Sequence, residues 1–369
     1  MMSHEGEKSA CASIKKNEAH RNLGLTKDDR RTVEQVLDPR TMLTMSKMMK
    51  RGVFKNVEGC ISTGKEANVY YAVSHVDPKI WSDGSRNPHL VPDEDTEGQT
   101  WELAIKVYKT SILVFKDRER YVGGEFRFRN GYAKGNPRKM VAQWAEKELR
   151  NLKRIREHIL CPTVVEVRQN VLVMQFLGEN GKAAPRLKDV GWLETDDWQE
   201  LYFQNMIMMR DLFQKCKLVH GDLSEYNMLF HKGEIVLIDV SQSVEGDHPH
   251  ALDFLKRDCV NVNRFYASKG CCMVSVKDVF EFIIQPDFKE DQEEILMDLV
   301  DEAMVRGPRD ENELDVEENV FLNTWIPSNL NQISDLQELE EEMDRVGRRE
   351  KNALLDRMLA SSGDEGSDS

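Results

Sequence analysis

Apolar residues in this chain fall into short runs at two distinct periods. Val69-Tyr70-Tyr71-Ala72-Val73, Leu103-Ala104-Ile105-Lys106-Val107-Tyr108 and Val171-Leu172-Val173 are rich in β-branched and aromatic residues, and predict strands. Leu229-Phe230 and Ile235-Val236-Leu237-Ile238 flank the turn His231-Lys232-Gly233 and predict a hairpin whose second strand ends at Asp239. Helical spacing appears elsewhere. After the start signal Asp38-Pro39, residues Met42, Leu43, Met45, Met48 and Met49 predict a short helix over 38–50, its methionines serving as adaptable core. Trp144 to Leu152 reads as a helix with Leu149, Leu152 and Ile155 on its buried face and Glu148 at the edge of that face. Gly246-Asp247-His248-Pro249-His250 leads into another, with Pro249 suited to the first turn. Ile295, Leu296, Leu299 and Met304 space one or two amphipathic helices across Phe288 to Arg309, and a further helix-like run covers Leu336 to Leu359.

Length and composition then bound the architecture. A chain of 369 residues holds one domain of about 250 residues plus tails, with a core that needs neither disulfides nor a structural metal. The seven cysteines are scattered without CxxC or Cys/His spacing, and read as reduced thiols of a cytosolic protein. No long apolar segment predicts secretion or membrane spanning. The net charge of −14 is unevenly spread. Lysines and arginines with interleaved aromatics dominate between Lys106 and Arg156; acids crowd the region after Phe288. The basic loop from Gly123 to Arg138 reads either as a solvated face or as an RNA-facing segment. In the acidic tail, Val320-Phe321-Leu322-Asn323-Thr324-Trp325-Ile326-Pro327 is an apolar island of the kind that marks a docking peptide.

Chemistry concentrates in Leu218 to Gln242. Asp222 stands on a polar loop where it can orient or deprotonate a hydroxyl, Asn227 follows with a neutral amide oxygen, and Asp239 ends the hairpin. Magnesium takes one or two carboxylates, with phosphate oxygens and waters completing its shell, so this spacing suits phosphoryl transfer. His220 reads as a structural brace. Upstream, the turn Ser62-Thr63-Gly64-Lys65 before Val69 lets backbone amides approach phosphates, and it is not a Walker loop because a strand follows. Lys106 interrupts an apolar strand, where a lysine can neutralise phosphates if a helix glutamate pairs with it. Glu148 is the first choice of partner and Glu146 the second. His248 and His250 read as helix-start and packing residues rather than metal ligands.

Six blocks in order, ISTGKEANVY, AIKVYKTSILVFKDRERYV, EFRFRNGYAKGNPRKM, WAEKELRNL, HGDLSEYN and IDVSQSVEGDHPHALDFLKRDC, resemble the RIO-type atypical serine/threonine protein kinases, and within them the RIO1 subfamily. The resemblance implies an α+β bilobal protein-kinase-like fold with a small β-rich N-lobe and a helical C-lobe. ATP and Mg2+ are the implied cofactors. It makes Lys106 the nucleotide lysine, Asp222 the catalytic aspartate, and Asn227 and Asp239 the metal ligands, with Asp239 also accepting phosphate as an aspartyl-phosphate. Ser62, Gly64, Lys65 and Val69 fall at the phosphate turn, and Met174 to Leu177 at the adenine hinge. It further implies an ATPase or kinase acting in late cytoplasmic maturation of the small (40S) ribosomal subunit. The pre-40S particle is then the partner, through its proteins, with contact to its rRNA left open. Neither a membrane nor DNA is expected as a partner, and the protein is expected to be a monomer or weak oligomer.

Two departures bear on this. The loop reads His220-Gly221-Asp222 where many relatives have alanine, and HGD also occurs in small-molecule phosphotransferases. A polar insert near residues 74–100 splits the second and third strands. No Asp-Phe-Gly stands at Asp239 and no Ala-Pro-Glu follows, so a peptide platform has little visible support. A small-molecule phosphotransferase and a catalytically weak nucleotide-binding scaffold stay open. The expected organisation is a flexible N-terminus over 1–37, an N-lobe with its leading helix over 38–180, a C-lobe over 181–286 and an acidic extension over 287–369.

Overall fold

The computed structural model describes residues 37–75, 100–110, 121, 136–286, 291–306, 318 and 321–322. The expectations for the N-terminus before residue 37, for most of the 74–100 insert, for the basic loop 123–135 and for the run 336–359 lie outside the described residues. The chain divides into two compact units, with the break after Pro185 and the segment Val236–Ser241 belonging to the first. One is β-rich and the other mainly helical, the α+β organisation expected of the kinase-like class.

The first unit is built on a five-stranded antiparallel sheet. Its strands are β1 (Asn56–Thr63), β2 (Ala67–Ser74), β3 (Trp101–Tyr108), β4 (Val164–Arg168) and β5 (Val171–Gln175), in the order β1-β2-β3-β5-β4. Helix α1 (Pro39–Lys50) precedes it, with Asp38 accepting from the amides of Arg40 and Thr41 and Pro39 in the first turn, where its missing N–H costs nothing. Met45 and Met48 of α1 pack with Phe54, Tyr70, Leu103, Ile105, Val107 and Val173 into one core. Leu43, expected in that stripe, is exposed. Successive residues of a strand point to opposite faces, so Leu103, Ile105 and Val107 commit one face of β3 to this core. Ala104 and Lys106 therefore lie on the other face, which is also buried.

Helix α2 (Pro137–Ile155) is capped by the Asn136 side chain and buries Val141, Trp144, Ala145, Glu148, Leu152 and Ile155. This corrects two details of the sequence reading. Leu149 is only half-buried, and Glu148 sits in the middle of the buried stripe rather than at its edge. The short hairpin β6 (Gly178–Glu179) and β7 (Lys182–Ala183) ends the continuous part of this unit.

In the second unit, α3 (Thr195–Gln214) is capped by a Glu194–Asp197 box and packs against α4 (Ala251–Ala267) and α5 (Val276–Ile284). The loop 220–227 lies between β8 (Leu218–Val219) and β9 (Met228–His231); β9 forms a two-stranded sheet with β10 (Glu234–Leu237). A second small pair joins β8 to β11 (Val244–Glu245). Pro249 falls before α4 rather than in its first turn, which begins after His250. His248 is buried and accepts the His250 amide through Nδ1, while His250 reaches Asp253, so both serve the helix start. No metal-binding group of three such side chains occurs among the described residues.

Helix α6 (Gln292–Arg306) buries Ile295, Leu296, Val300 and Ala303, whereas Met304, expected on that face, points outward. Of the apolar island at 320–327 only Phe321 and Leu322 are among the described residues, the docking expectation for the rest lies outside them, and Phe321 is not exposed as expected. It is buried, edge-on to Phe280 at 5.4 Å, with the Lys256 ammonium 5.2 Å from its ring centre. Glu318 pairs with Arg264 at 2.7 Å on the same stretch. Tyr121 stacks on Phe254 at 4.7 Å, a packing role for one aromatic of the basic segment. None of the six described cysteines is joined in a disulfide. Among the described residues no helix is long and apolar enough to cross a membrane.

Candidate active site

Two groups of polar side chains stand out, one in each unit. The first is centred on Lys106. Its ammonium lies 2.7 Å from Asp239 Oδ1, donates to Glu148 Oε1 at 2.9 Å, and stands equally far from Glu148 Oε2. Sheet geometry explains the meeting: Lys106 faces away from the α1 core, and α2 offers Glu148 from the centre of its buried stripe. Helix α2 also fixes the acid, because Asn151 Nδ2 donates to the Val240 carbonyl at 2.8 Å, next to Asp239. Asp239 itself adopts φ 58°, in the left-handed region that aspartate enters more readily than most residues, and receives the Ser241 hydroxyl at 2.9 Å.

Electrostatics separate the three. Burial works against the Lys106 charge, but Asp239 and Glu148 more than restore it and hold its pKa above the ordinary lysine range. Burial pushes the Glu148 carboxyl up to about 7 against the pull of Lys106. The Glu148 side chain is 1% exposed and that of Asp239 42%, so Asp239 is the carboxylate that a ligand can reach. Glu146, the second choice, is exposed and reaches Arg150 at 3.6 Å instead.

Other residues expected at a nucleotide site lie in the same unit. Ser62, Gly64 and Lys65 are exposed at the turn from β1 to β2, and Val69 is half-buried opposite Lys106 in the β2–β3 register. The Gly64 amide is not offered outward as expected: it donates to the Ala67 carbonyl at 2.8 Å, closing the turn. Met174 is buried in β5, paired with Ala104 and Val164. Leu177 follows at the strand end, its carbonyl accepting the Ala184 amide at 2.9 Å.

The second group is the loop from His220 to Asn227. Asp222 is exposed; Asn227 Nδ2 donates to the Asp222 carbonyl at 2.8 Å and approaches its carboxylate at 3.4 Å. With its nitrogen so engaged, Asn227 presents the amide oxygen, a hard donor of the type magnesium prefers. His220 is buried and its Nδ1 accepts the Asp222 amide at 3.3 Å, a bracing role. Gly221 has φ +79°, so the glycine in His-Gly-Asp removes strain that alanine would carry there.

What holds this loop escaped the sequence reading. Asp258, buried in α4, accepts the Gly221 amide at 2.8 Å and the Leu223 amide at 2.9 Å, gripping both neighbours of Asp222. Burial pushes its pKa up to about 7, although the two amides and Arg257 pull the other way. A signal was available: Asp258 interrupts the apolar stripe Phe254, Val262 at four-residue spacing, where an acid is costly without partners.

Taken separately, the donors of each unit suit a nucleotide with a divalent cation: in the first, a buried, charge-balanced lysine suits phosphate and a reachable carboxylate suits a hard cation. In the second, the Asn227 amide oxygen is a donor of the same hard type. A family model described as RIO domain matches residues 68–279, more than half of the chain. The chain belongs to the RIO family. Among similar RIO proteins, serine/threonine-protein kinase rio1 of Dictyostelium discoideum is 47% identical over 91% of this chain and 54% of its own length. Serine/threonine-protein kinase RIO1 of Homo sapiens is 46% identical over 87% and 52%, and that of Saccharomyces cerevisiae 50% identical over 70% and 54%. The chain spans about half the length of these curated relatives. The solved Rio2 kinase–ADP/Mg2+–phosphoaspartate complex from Chaetomium thermophilum is similar at a TM-score of 0.45 and 19% identity, covering 76% of this chain and 75% of that one.

Proposed function

We propose that this RIO protein is an ATP-dependent atypical serine/threonine kinase and ATPase. The observation that carries the reading is the buried Lys106 held between Glu148 and a reachable Asp239. Lys106 balances the charge of the α and β phosphates, and Glu148 keeps its ammonium aimed. By the family resemblance Asp239 and Asn227 are the residues that would hold a magnesium ion, which would neutralise charge developing on the phosphate oxygens. Asp222 accepts the proton of the attacking hydroxyl or water. The position and exposure of Asp239 also support a two-step route. Its carboxylate oxygen attacks the γ-phosphorus, the bond to ADP breaks, and water then hydrolyses the aspartyl-phosphate to release phosphate.

The family resemblance supports a biological setting: a cytoplasmic factor acting on the precursor of the small (40S) ribosomal subunit, with ATP hydrolysis as a conformational switch. Single-turnover ATPase measurements on wild type and Asp222→Ala, with and without precursor small subunits, test both levels. Slow turnover by the variant alone is expected, and stimulation of the wild type by precursor particles. Equal rates for the two proteins would remove the mechanism; absence of stimulation would remove the ribosomal assignment. ATP-dependent turnover of hydroxylated metabolites instead would favour the small-molecule phosphotransferase reading.

A further inference from the structure

Lys109 leaves β3 three residues after Lys106, and its surroundings are unusual for a lysine. It is 4% exposed, and its ammonium donates to the Gly64 carbonyl at 2.5 Å. Its own backbone amide donates to the Glu66 carbonyl at 2.8 Å. One residue therefore ties the β1–β2 turn at two places, by side chain and by main chain, while Gly64 N–H closes the same turn on Ala67. Around it, Ser62, Thr63, Gly64 and Lys65 are exposed. The turn has a single glycine, and a Cβ on it would meet the Ala67 carbonyl at 3.1 Å. Glycine-rich loops with several glycines are free to adapt to phosphate; this one is pinned from beneath.

A buried ammonium is costly unless it serves a partner, and a hydrogen bond from a charged donor to a carbonyl is among the stronger kinds. Burial lowers the Lys109 pKa, a cost to the ammonium that the Gly64 carbonyl contact helps to offset. The ammonium also sets a fixed positive charge behind the exposed tip of the turn. The Gly64–Glu66 backbone is therefore tied to the residue that follows β3, the strand that carries Lys106.

We infer that Lys109 is a positioning residue for nucleotide triphosphate binding, acting through the Gly64–Glu66 turn rather than by touching the ligand. This rests on the nucleotide reading of the Lys106 cluster. Its loss is expected to weaken Mg2+-ATP binding about tenfold, the effect of one strong hydrogen bond, while kcat at saturating nucleotide stays within about twofold.

The test compares wild type, Lys109→Met, Lys109→Arg and the exposed-lysine control Lys55→Met. Calorimetry reads Mg2+-ATP and Mg2+-ADP affinity, steady-state assays separate KM from kcat, and amide exchange reads residues 62–67. The expected result is a raised KM and faster exchange in that turn for Lys109→Met. Partial recovery is expected for Lys109→Arg and no change for Lys55→Met. If Lys109→Met folds poorly, Lys109→Arg and Lys109→Gln are read by exchange with ADP saturating. Wild-type affinity together with unchanged exchange in the turn overturns the inference. Failure of the wild type to take up nucleotide would instead overturn the nucleotide reading itself.

Discussion

The two polar groups are built by opposite means. Around Lys106, charged side chains hold each other: a buried cation, a buried acid and a half-exposed acid within 2.9 Å. Around Asp222 the reactive-looking carboxylate is exposed, and the backbone on either side is what is held, by Asp258 from beneath. The difference fits the work proposed for each. A phosphate-facing charge must be aimed and kept ionised, which a balanced buried cluster does; a proton acceptor needs a fixed place but an open face.

Removing the open carboxylate gives the largest effect. Asp222→Asn is expected to lower turnover by about 10²- to 10⁴-fold while nucleotide affinity changes little, as calorimetry beside single-turnover kinetics would show. A parallel loss of affinity would mean that this loop holds the nucleotide as well.

Lys106→Met attacks the charge-balanced group. It strands Glu148 in a buried site, for which loss of one partner costs about 3–5 kcal/mol. Because burial already pushes that carboxyl up to about 7, it can take a proton, and the loss is expected at the low end near neutral pH and to grow above it. Chemical denaturation from pH 6 to pH 9 measures this, together with abolished nucleotide uptake. A pH-independent loss would contradict the assignment.

Asp258→Asn probes the backbone-held group. The folded pKa of Asp258 is raised from 3.8 to about 7, so the native state holds a proton that the unfolded chain releases earlier. Its stability contribution is therefore full below pH 3.8 and is lost as pH rises through about 7. Wild type should lose stability relative to the Asn variant across that window, by a few kcal/mol at most. A difference in melting temperature that stays flat with pH would show that Asp258 titrates normally. The smallest effect belongs to Glu146→Ala, within about 0.5 kcal/mol and without change in nucleotide affinity, since its pair with Arg150 is exposed. A large effect would reopen the choice between Glu146 and Glu148.

Elements that one short segment specifies were legible in the sequence. Asp38-Pro39 and the methionine spacing marked α1, and the runs around Lys106 and Asp239 marked β3 and the β9–β10 pair. The choice of Glu148 over Glu146 followed from helical period, although its central position on the buried face needed the sheet to define that face. Lys109 and Asp258 were illegible as positioning residues, because each acts on backbone atoms more than thirty residues away. Side-chain pattern carries no record of which carbonyl or amide will arrive opposite. Phe321 misled for a related reason: an apolar residue in an acidic stretch looks the same whether it awaits another protein or packs on its own helices, as this one does on Phe280.

That last contact bears on how the protein can be cut. A shortened chain ending with α6 would uncover the Phe280 ring and leave the Lys256 stem without its aromatic cover. Such a fragment is expected to be less soluble than one extended through Leu322. A useful fragment therefore has to keep a phenylalanine that lies well past residue 279, where the family-model match ends.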